Sequence, residues 1–557
     1  MRTLFRFIFL ATLCLAFPLA AQPPQSPPGE EPPSTFGEVI DVRVVNVEVV
    51  VTDRDGNRVR DLKPSDFRLK VDGKAVPVDF FTEVVGGQAA PSAPVAEAPA
   101  APSPTPAASV EPGEPVPTSY LVFVDDFFAI EIRRNEVLRA LKDDLGRLGP
   151  DDRMAIVAYD GGRLTMVSNW SSSSNKLARA FDEAMTRPAR GLDRIAELRT
   201  FESDEDFASQ AVMDGVPIDL NVASPAGGLN MREYAYGSTL HRQVEGAVGA
   251  VVSTLRAFAA PPGRKVLLLL AGGWPFSIDS FVRNGSPPLS PEFPVGEKIL
   301  RELTNTANLL GYTIYPVDVP GVEAGAADAT SFAAGDGTSM REQEVEGTLE
   351  FVAKETGGQP LRNSNRMAAF RQVGEDTRSY YWLGFTPTWE RNDKRHRVEV
   401  EMTRPGLRVR TRNSFLDLSK KAEVSMMVES AMLFGNLPGT IKMPVKLGTP
   451  KPLKKKGQVE VPVTLGLPVD VLTVVPINGK HVAEAELRVA ATDKDGNGSD
   501  VPVIPLKLAS DKPPKPGGFV RYDTKITLRG KASHLVLAVY DPLSGKMALG
   551  EVDVTMP

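Results

Sequence analysis

Cysteine is almost missing: the 557 residues contain one, Cys14. A single thiol excludes an intrachain disulfide, a thiolate metal cage and a paired redox site. Cys14 lies in the opening segment MRTLFRFIFLATLCLAFPLAAQ, where Arg2 and Arg6 precede an apolar run and Ala20 and Ala21 precede Gln22. That is the layout of a secretory signal peptide cut after Ala21. Leu13, not a small residue, precedes Cys14, which argues against a lipoprotein cleavage box. Histidine is scarce too: His241, His396, His481 and His534 are the only four, none paired at i,i+4 and none beside a Glu motif, so a zinc hydrolase has nothing to build on. Beyond the leader no run reaches the ~18 apolar residues of a membrane span. No Gly-x-x-x-x-Gly-Lys loop is present, nor a Gly-x-Gly-x-x-Gly after the first strand of the central region, which removes the usual nucleotide readings. Neither sign of charge dominates, with 64 Lys and Arg against 70 Asp and Glu, so nothing favours nucleic acid. The expected product is exported, periplasmic or extracellular, with no integral membrane segment after signal cleavage.

At this length one hydrophobic core is too few, and three or four domains are expected. Residues 22–36 are a Pro-rich linker and residues 87–117 an Ala/Pro-rich one; neither holds enough apolar area to offset chain entropy. Residues 37–86 alternate apolar and polar, with Asp55-Gly56 and Asp72-Gly73 as turns, and read as a small N-terminal all-β module. Residues 118–418 alternate strand and helix. The strands are YLVFVDD from Tyr120, RMAIVAYD from Arg153, KVLLLLA from Lys265 and YTIYPVDV from Tyr312. Helical spacing marks Glu131 to Leu148, Asn175 to Met185, Leu240 to Phe258 and Glu297 to Leu310. Residues 187–236 read as a polar, irregular insertion, SYYWLGF as the last strand of the same sheet, and HRVEVEM with LRVRTR as a trailing hairpin. This regularity implies a doubly wound α/β sheet. Residues 419–557 carry short strands between Gly, Pro and Asp turns, the pattern of a C-terminal β-sandwich. They also hold 19 Lys and Arg against 14 Asp and Glu, whereas residues 22–419 hold 43 against 56. The run KPLKKK from Lys451 reads as a strand edge blunted by lysines, with contact to an anionic surface as the other reading.

The phrases VTDRDGNRVRDLKPSDFRLKVDGK, YLVFVDD, IYPVDVPG, VAKETGG and YYWLGFTP, in this order from Val42 to Leu416, resemble the von Willebrand factor A-related proteins of the Acidobacteria type. The resemblance implies a central von Willebrand factor A-like, Rossmann-like domain in an exported protein, used to bind other proteins or a matrix. In that class a metal-ion-dependent adhesion site lies at the carboxyl ends of the strands, built from Asp-x-Ser-x-Ser, a Thr and an Asp around Mg²⁺ or Mn²⁺. Here the first loop reads Asp125-Asp126-Phe127-Phe128-Ala129, so both hydroxyl positions are lost. Gly237-Ser238-Thr239, opening a helix, would supply the Thr, and the third-loop Asp position is Ala271. What remains is a residual weak metal site of Asp125 and Thr239, with Asp126 and Ser238 as substitutes. An ordinary strand-end carboxylate and a helix N-cap are the competing readings.

Phe127, Phe128, Trp274 and Phe276 fall near the same sheet edge, which suggests an aromatic apex that either binds a partner or seats the N-terminal module. Ser173-Ser174-Asn175-Lys176 matches Ser-x-x-Lys without its Lys-Thr-Gly companion. Asp53-Arg54-Asp55-Gly56-Asn57 and Asp493-Lys494-Asp495-Gly496-Asn497 resemble calcium loops but read as turns. The function expected is an exported, non-enzymatic binding or scaffold protein without a cofactor. The alternatives are an exported hydrolase using Asp125 and Asp126 as acid and base, and an envelope structural protein assembling through its charge asymmetry.

Overall fold

The computed structural model describes residues 44–555 apart from 91–112, 114, 214–229, 259–262, 284–290, 320–336, 390, 420–421, 423, 426–427, 429–440, 455–456, 494–501 and 530–531. Both linkers, for the most part, and the leader lie outside the described residues, as do the turn at 494–497 and Lys455 and Lys456.

Four strands come from the first β segment, β1 (Val45–Thr52), β2 (Phe67–Val71), β3 (Lys74–Val76) and β4 (Phe80–Val85), and a fifth, β5 (Gln88–Ala89), from the start of the stretch expected to be the Ala/Pro-rich linker. Their alternation leaves apolar faces and open edges, and β1, β2 and β4 find partners more than 290 residues away. Four strands close the module: β11 (Ser379–Phe385), β12 (Arg395–Met402), β13 (Arg408–Thr411) and β14 (Ser414–Leu416). One sheet runs β13-β1-β11-β4-β5 and the other β14-β12-β2-β3. Val47, Val49, Leu69 and Phe81 share one core with Tyr381, Leu383, Phe385 and Val398.

This corrects two expectations. The N-terminal β segment does not form its own module, and SYYWLGF is not the last strand of the α/β sheet. β11 is apolar on both faces because Tyr381 and Leu383 enter that core while Tyr380 packs with Val50, Val84 and Val116 on the opposite side. A run buried on both faces has the signature of a parallel-sheet strand, so pattern alone misassigns it. The trailing hairpin is also split, β12 pairing with β2 and β13 with β1.

The central sheet comprises β6 (Thr118–Asp125), β7 (Arg153–Tyr159), β8 (Leu164–Ser171), β9 (Arg264–Ala271) and β10 (Tyr312–Asp318), in the order β10-β9-β6-β7-β8. Only β8 is antiparallel. The helices are α1 (Glu131–Asp143), α2 (Ser174–Thr186), α3 (Gly191–Met213), α4 (Met231–Ala257), α5 (Ile278–Val282), α6 (Gly296–Leu310), α7 (Gly337–Thr356) and α8 (Ala369–Thr377). Alternate residues of β6 serve opposite faces: Tyr120, Val122 and Val124 pack with α1, α2 and α8, while Leu121 and Phe123 pack with α4 and α6. Helices therefore cover both faces. The chain order reverses at β6, the switch point where open α/β sheets place ligands beyond the carboxyl ends of the strands.

The C-terminal strands are β15 (Ile441–Lys442), β16 (Val445–Leu447), β17 (Lys451–Pro452), β18 (Gln458–Pro468), β19 (Val475–Ile477), β20 (Lys480–Asp493), β21 (Val503–Ser510), β22 (Phe519–Arg529), β23 (Ala532–Tyr540) and β24 (Met547–Asp553). They form two sheets that share a core of Val461, Val463 and Leu465 with Leu487, Leu535 and Leu537. The chain is thus multidomain with several sheets. Among the described residues Lys451 lies on β17, a short strand that pairs with β18.

Candidate functional site

At the carboxyl end of β6 the sequence Asp125-Asp126 places two carboxylates at the switch point, and both are fully buried. Asp125 Oδ1 accepts from the Phe127 and Phe128 amides at 3.0 and 3.3 Å. Its Oδ2 accepts from the indole Nε1 of Trp274 at 2.7 Å. Trp274 reaches it because Gly273, at φ 92°, turns the loop after β9 back toward β6. Burial pushes the Asp125 carboxyl up to about 7, against these three N–H donors, which favour the ionised form.

Asp126 faces other partners. Arg134 Nη1 donates to its Oδ1 at 2.5 Å and Arg187 Nε to its Oδ2 at 2.8 Å. Arg134 is itself fully buried, and it also donates to the carbonyls of Met185 and Arg187 and to Asn135 Oδ1. Burial raises the Asp126 carboxyl, with the two guanidiniums acting against that. Arg134 was legible in one respect: it falls on the same helical stripe as Val137, Leu138 and Leu141, so a charge on that stripe needed a buried partner.

The remaining donors of the expected metal site do not join Asp125. The helix expected from Leu240 begins at Met231, capped by Asn230 with a reciprocal bond from Glu233. Ser238 and Thr239 therefore sit two turns inside α4 rather than in a loop. Thr239 Oγ1 donates to the Ala235 carbonyl, and Ser238 and Thr239 accept from Arg242. Among the described residues no group of three or more His, Cys, Asp or Glu is placed to hold a metal. Asp125 has each oxygen occupied by N–H donors, and Trp274 supplies the positive pole that a cation would supply. The residues present do not fit Mg²⁺ or Mn²⁺ at this position.

The aromatic apex is corrected in the same place. Phe127, Phe128 and Trp274 are buried and Phe276 is half-buried, packed on Phe351. They cannot present a solvent-facing cluster, and the N-terminal strands do not seat on them. What covers them is the segment expected to be irregular. α3 packs Ile195, Leu198 and Phe201 into the same cluster, joined by Ile278, Phe281 and Phe293. Arg190 and Gly191 tie its start to the carbonyls of Asp126 and Ala129, and the Arg194 guanidinium lies 4.5 Å from the centre of the Phe127 ring. A Cβ at Gly191 would stand 2.5 Å from the Ala129 carbonyl oxygen, so only glycine admits this approach.

No family model matches this chain, and no curated protein matches it. Among solved structures it is similar to the TFIIH p34 N-terminal domain, with 9% identity over 46% of this chain and 97% of that one at a TM-score of 0.19. It is also similar to the pilus adhesin SpaC from Lactobacillus rhamnosus GG, with 8% identity over 78% of this chain and 56% of that one at 0.24. Bovine butyrophilin aligns at 9% identity, 32% of this chain and 64% of that one, at 0.11. Likenesses at these scores carry no argument about fold or function.

The other motifs resolve as turns and caps. Asp53 accepts from the amides of Asp55 and Asn57 and from Asn57 Nδ2, with Gly56 at φ 89°. Ser173 caps α2 by accepting from the Lys176 amide at 3.4 Å.

Proposed function

We propose that the protein is an exported, non-enzymatic binding or scaffold component whose central domain is von Willebrand factor A-like and works without a metal ion. The observation that carries this reading is the state of Asp125. It stands at the switch point of a sheet with one antiparallel edge strand, where the adhesion-site carboxylate belongs, yet it is sealed by Trp274 and roofed by α3. A hydrolase using Asp125 and Asp126 finds no support here, because neither carboxylate has exposed surface and each is bound to different partners.

At this end of the sheet the contact surface is the roof itself. It carries Leu192, Met231, Tyr234 and Val295, each about half exposed or more. Met231 and Tyr234 share the first turn of α4 and Tyr234 stacks on Phe293, near Val295, a local apolar group of the kind that favours protein contact. The test is retention of a specific partner by the immobilised chain from residue 22, with and without EDTA, against a Met231→Glu, Tyr234→Glu variant. Retention insensitive to EDTA and lost in the variant is expected; retention abolished by EDTA would contradict the reading.

A further inference from the structure

The opposite end of the central sheet holds buried charge that its own carboxylates do not balance. A cavity of about 380 Å³ opens where β9 and β10 begin, between those strands and β1, β11 and β13. Arg264, Lys265, Arg391, Arg410 and Arg412 line it, against Glu48 and Asp417.

Arg264 is 1% exposed, and among the described residues its Nε and Nη1 have no hydrogen-bond partner. Its face lies 4.2 Å from the Tyr380 ring centre, and its nearest carboxylate, Glu48, is 3.5 Å away. Among the described residues Arg412 donates to the carbonyls of Asn308 and Asn46, and its buried Nε has no partner. Arg410 shares a single carboxylate, Asp376, with Arg58 and with the Tyr315 hydroxyl. Arg58, Arg264, Arg410 and Arg412 thus share Glu48 and Asp376, and Lys265 and Arg391 add two more cations to the lining against Asp417. Burial, with the neighbouring charges of Arg410 and Arg264 adding to it, lowers Arg58 to about 10, and burial lowers Arg410 and Arg412 as well; Arg264 is held above its usual value instead, its burial outweighed by Glu48, Tyr315 and Tyr380. Arg264 is buried and Arg58, Arg410 and Arg412 are half-buried; arginine cannot easily shed its proton, so guanidiniums withdrawn from water without matching carboxylates are costly unless an anion joins them.

We propose that this cavity binds a small dianionic oxyanion of the phosphate class, free or as a monoester, with Arg264, Arg410 and Arg412 as the donors. The surplus of cations over carboxylates in the lining favours such a dianion, and planar guanidinium forks suit its oxygens. The volume leaves room for a small esterified group beside the phosphate.

The test is calorimetric titration of inorganic phosphate, and separately of glycerol phosphate, into the chain from residue 22 at constant ionic strength, with chloride as the blank. One saturable site is expected. Arg412→Gln should weaken it about tenfold or more, as loss of a charge-assisted contact does, while Lys442→Gln, on the exposed C-terminal edge, leaves it unchanged. Glu48→Gln, which removes one of the two carboxylates lining the cavity, should tighten it several-fold, a sign that structural damage does not produce. Tighter binding of glycerol phosphate would assign the site to a monoester, and equal or weaker binding to free phosphate. No saturable heat with either probe, or binding that neither substitution moves, would overturn the proposal.

Discussion

The two ends of the central sheet bury charge in opposite ways. At the carboxyl end each acid is matched: Asp125 takes three N–H donors, Asp126 takes two guanidiniums, and α3 closes over both. At the amino end guanidiniums outnumber carboxylates around an open cavity. A complete set of partners makes a structural site, whereas an incomplete one leaves a vacancy in charge that a ligand can fill. The end where open α/β sheets usually bind is therefore the less able of the two to do so.

The largest expected effect comes from breaking the matched end. Arg134→Ala leaves Asp126 buried with only Arg187, and should cost about 3–5 kcal/mol in urea unfolding, the range for a buried ion pair that loses one partner. Should it cost no more than an exposed arginine, the carboxyl end is not a closed network. Trp274→Phe keeps the ring packing but removes the donor to Asp125 Oδ2, and about 1–3 kcal/mol is expected from the unsatisfied acceptor.

The pH dependence sharpens the same point. The Asp125 carboxyl is raised to about 7 in the folded chain from 3.8, so between about pH 4 and 7 the unfolded state has lost its proton while the folded state keeps it. Stability contributed by this group is present below that window and is lost as pH rises through it, with a slope approaching about 1.4 kcal/mol per pH unit. The difference between wild type and Asp125→Asn across pH 4–7 isolates it, and parallel profiles would remove Asp125 as the source. The smallest effect should come from Arg194→Gln, which deletes a guanidinium–ring contact on Phe127 and should cost about 0.5–1 kcal/mol.

Much of this architecture is legible from local pattern. The strands at Tyr120, Arg153, Lys265 and Tyr312, the helix after Glu131 and the C-terminal strand repeats follow from apolar periodicity and turn residues. Pairing is not: β1 joins β11 across more than 300 residues, and alternation specifies which face is buried, never which strand lies alongside. Residues 187–236 mislead because α3 has almost no amphipathic stripe overall, its exposed polar residues masking Ile195, Leu198 and Phe201. In the candidate site Asp125 and Trp274 could be placed at one sheet edge, but whether an aromatic faces water or a carboxylate depends on what roofs it. The cationic cavity lay beyond reach, since Arg58 and Arg264 stand far along the chain from the Arg410 and Arg412 pair and meet it only through the long-range strand pairing.

The most direct test is calorimetric titration of Mg²⁺ and Mn²⁺ into the chain from residue 22, beside Asp125→Asn. With its carboxylate sealed by Trp274, the wild type should give no saturable heat and should match the variant. Saturable binding in the wild type that the variant loses would contradict a closed, metal-free carboxyl end and restore Asp125 as a ligand.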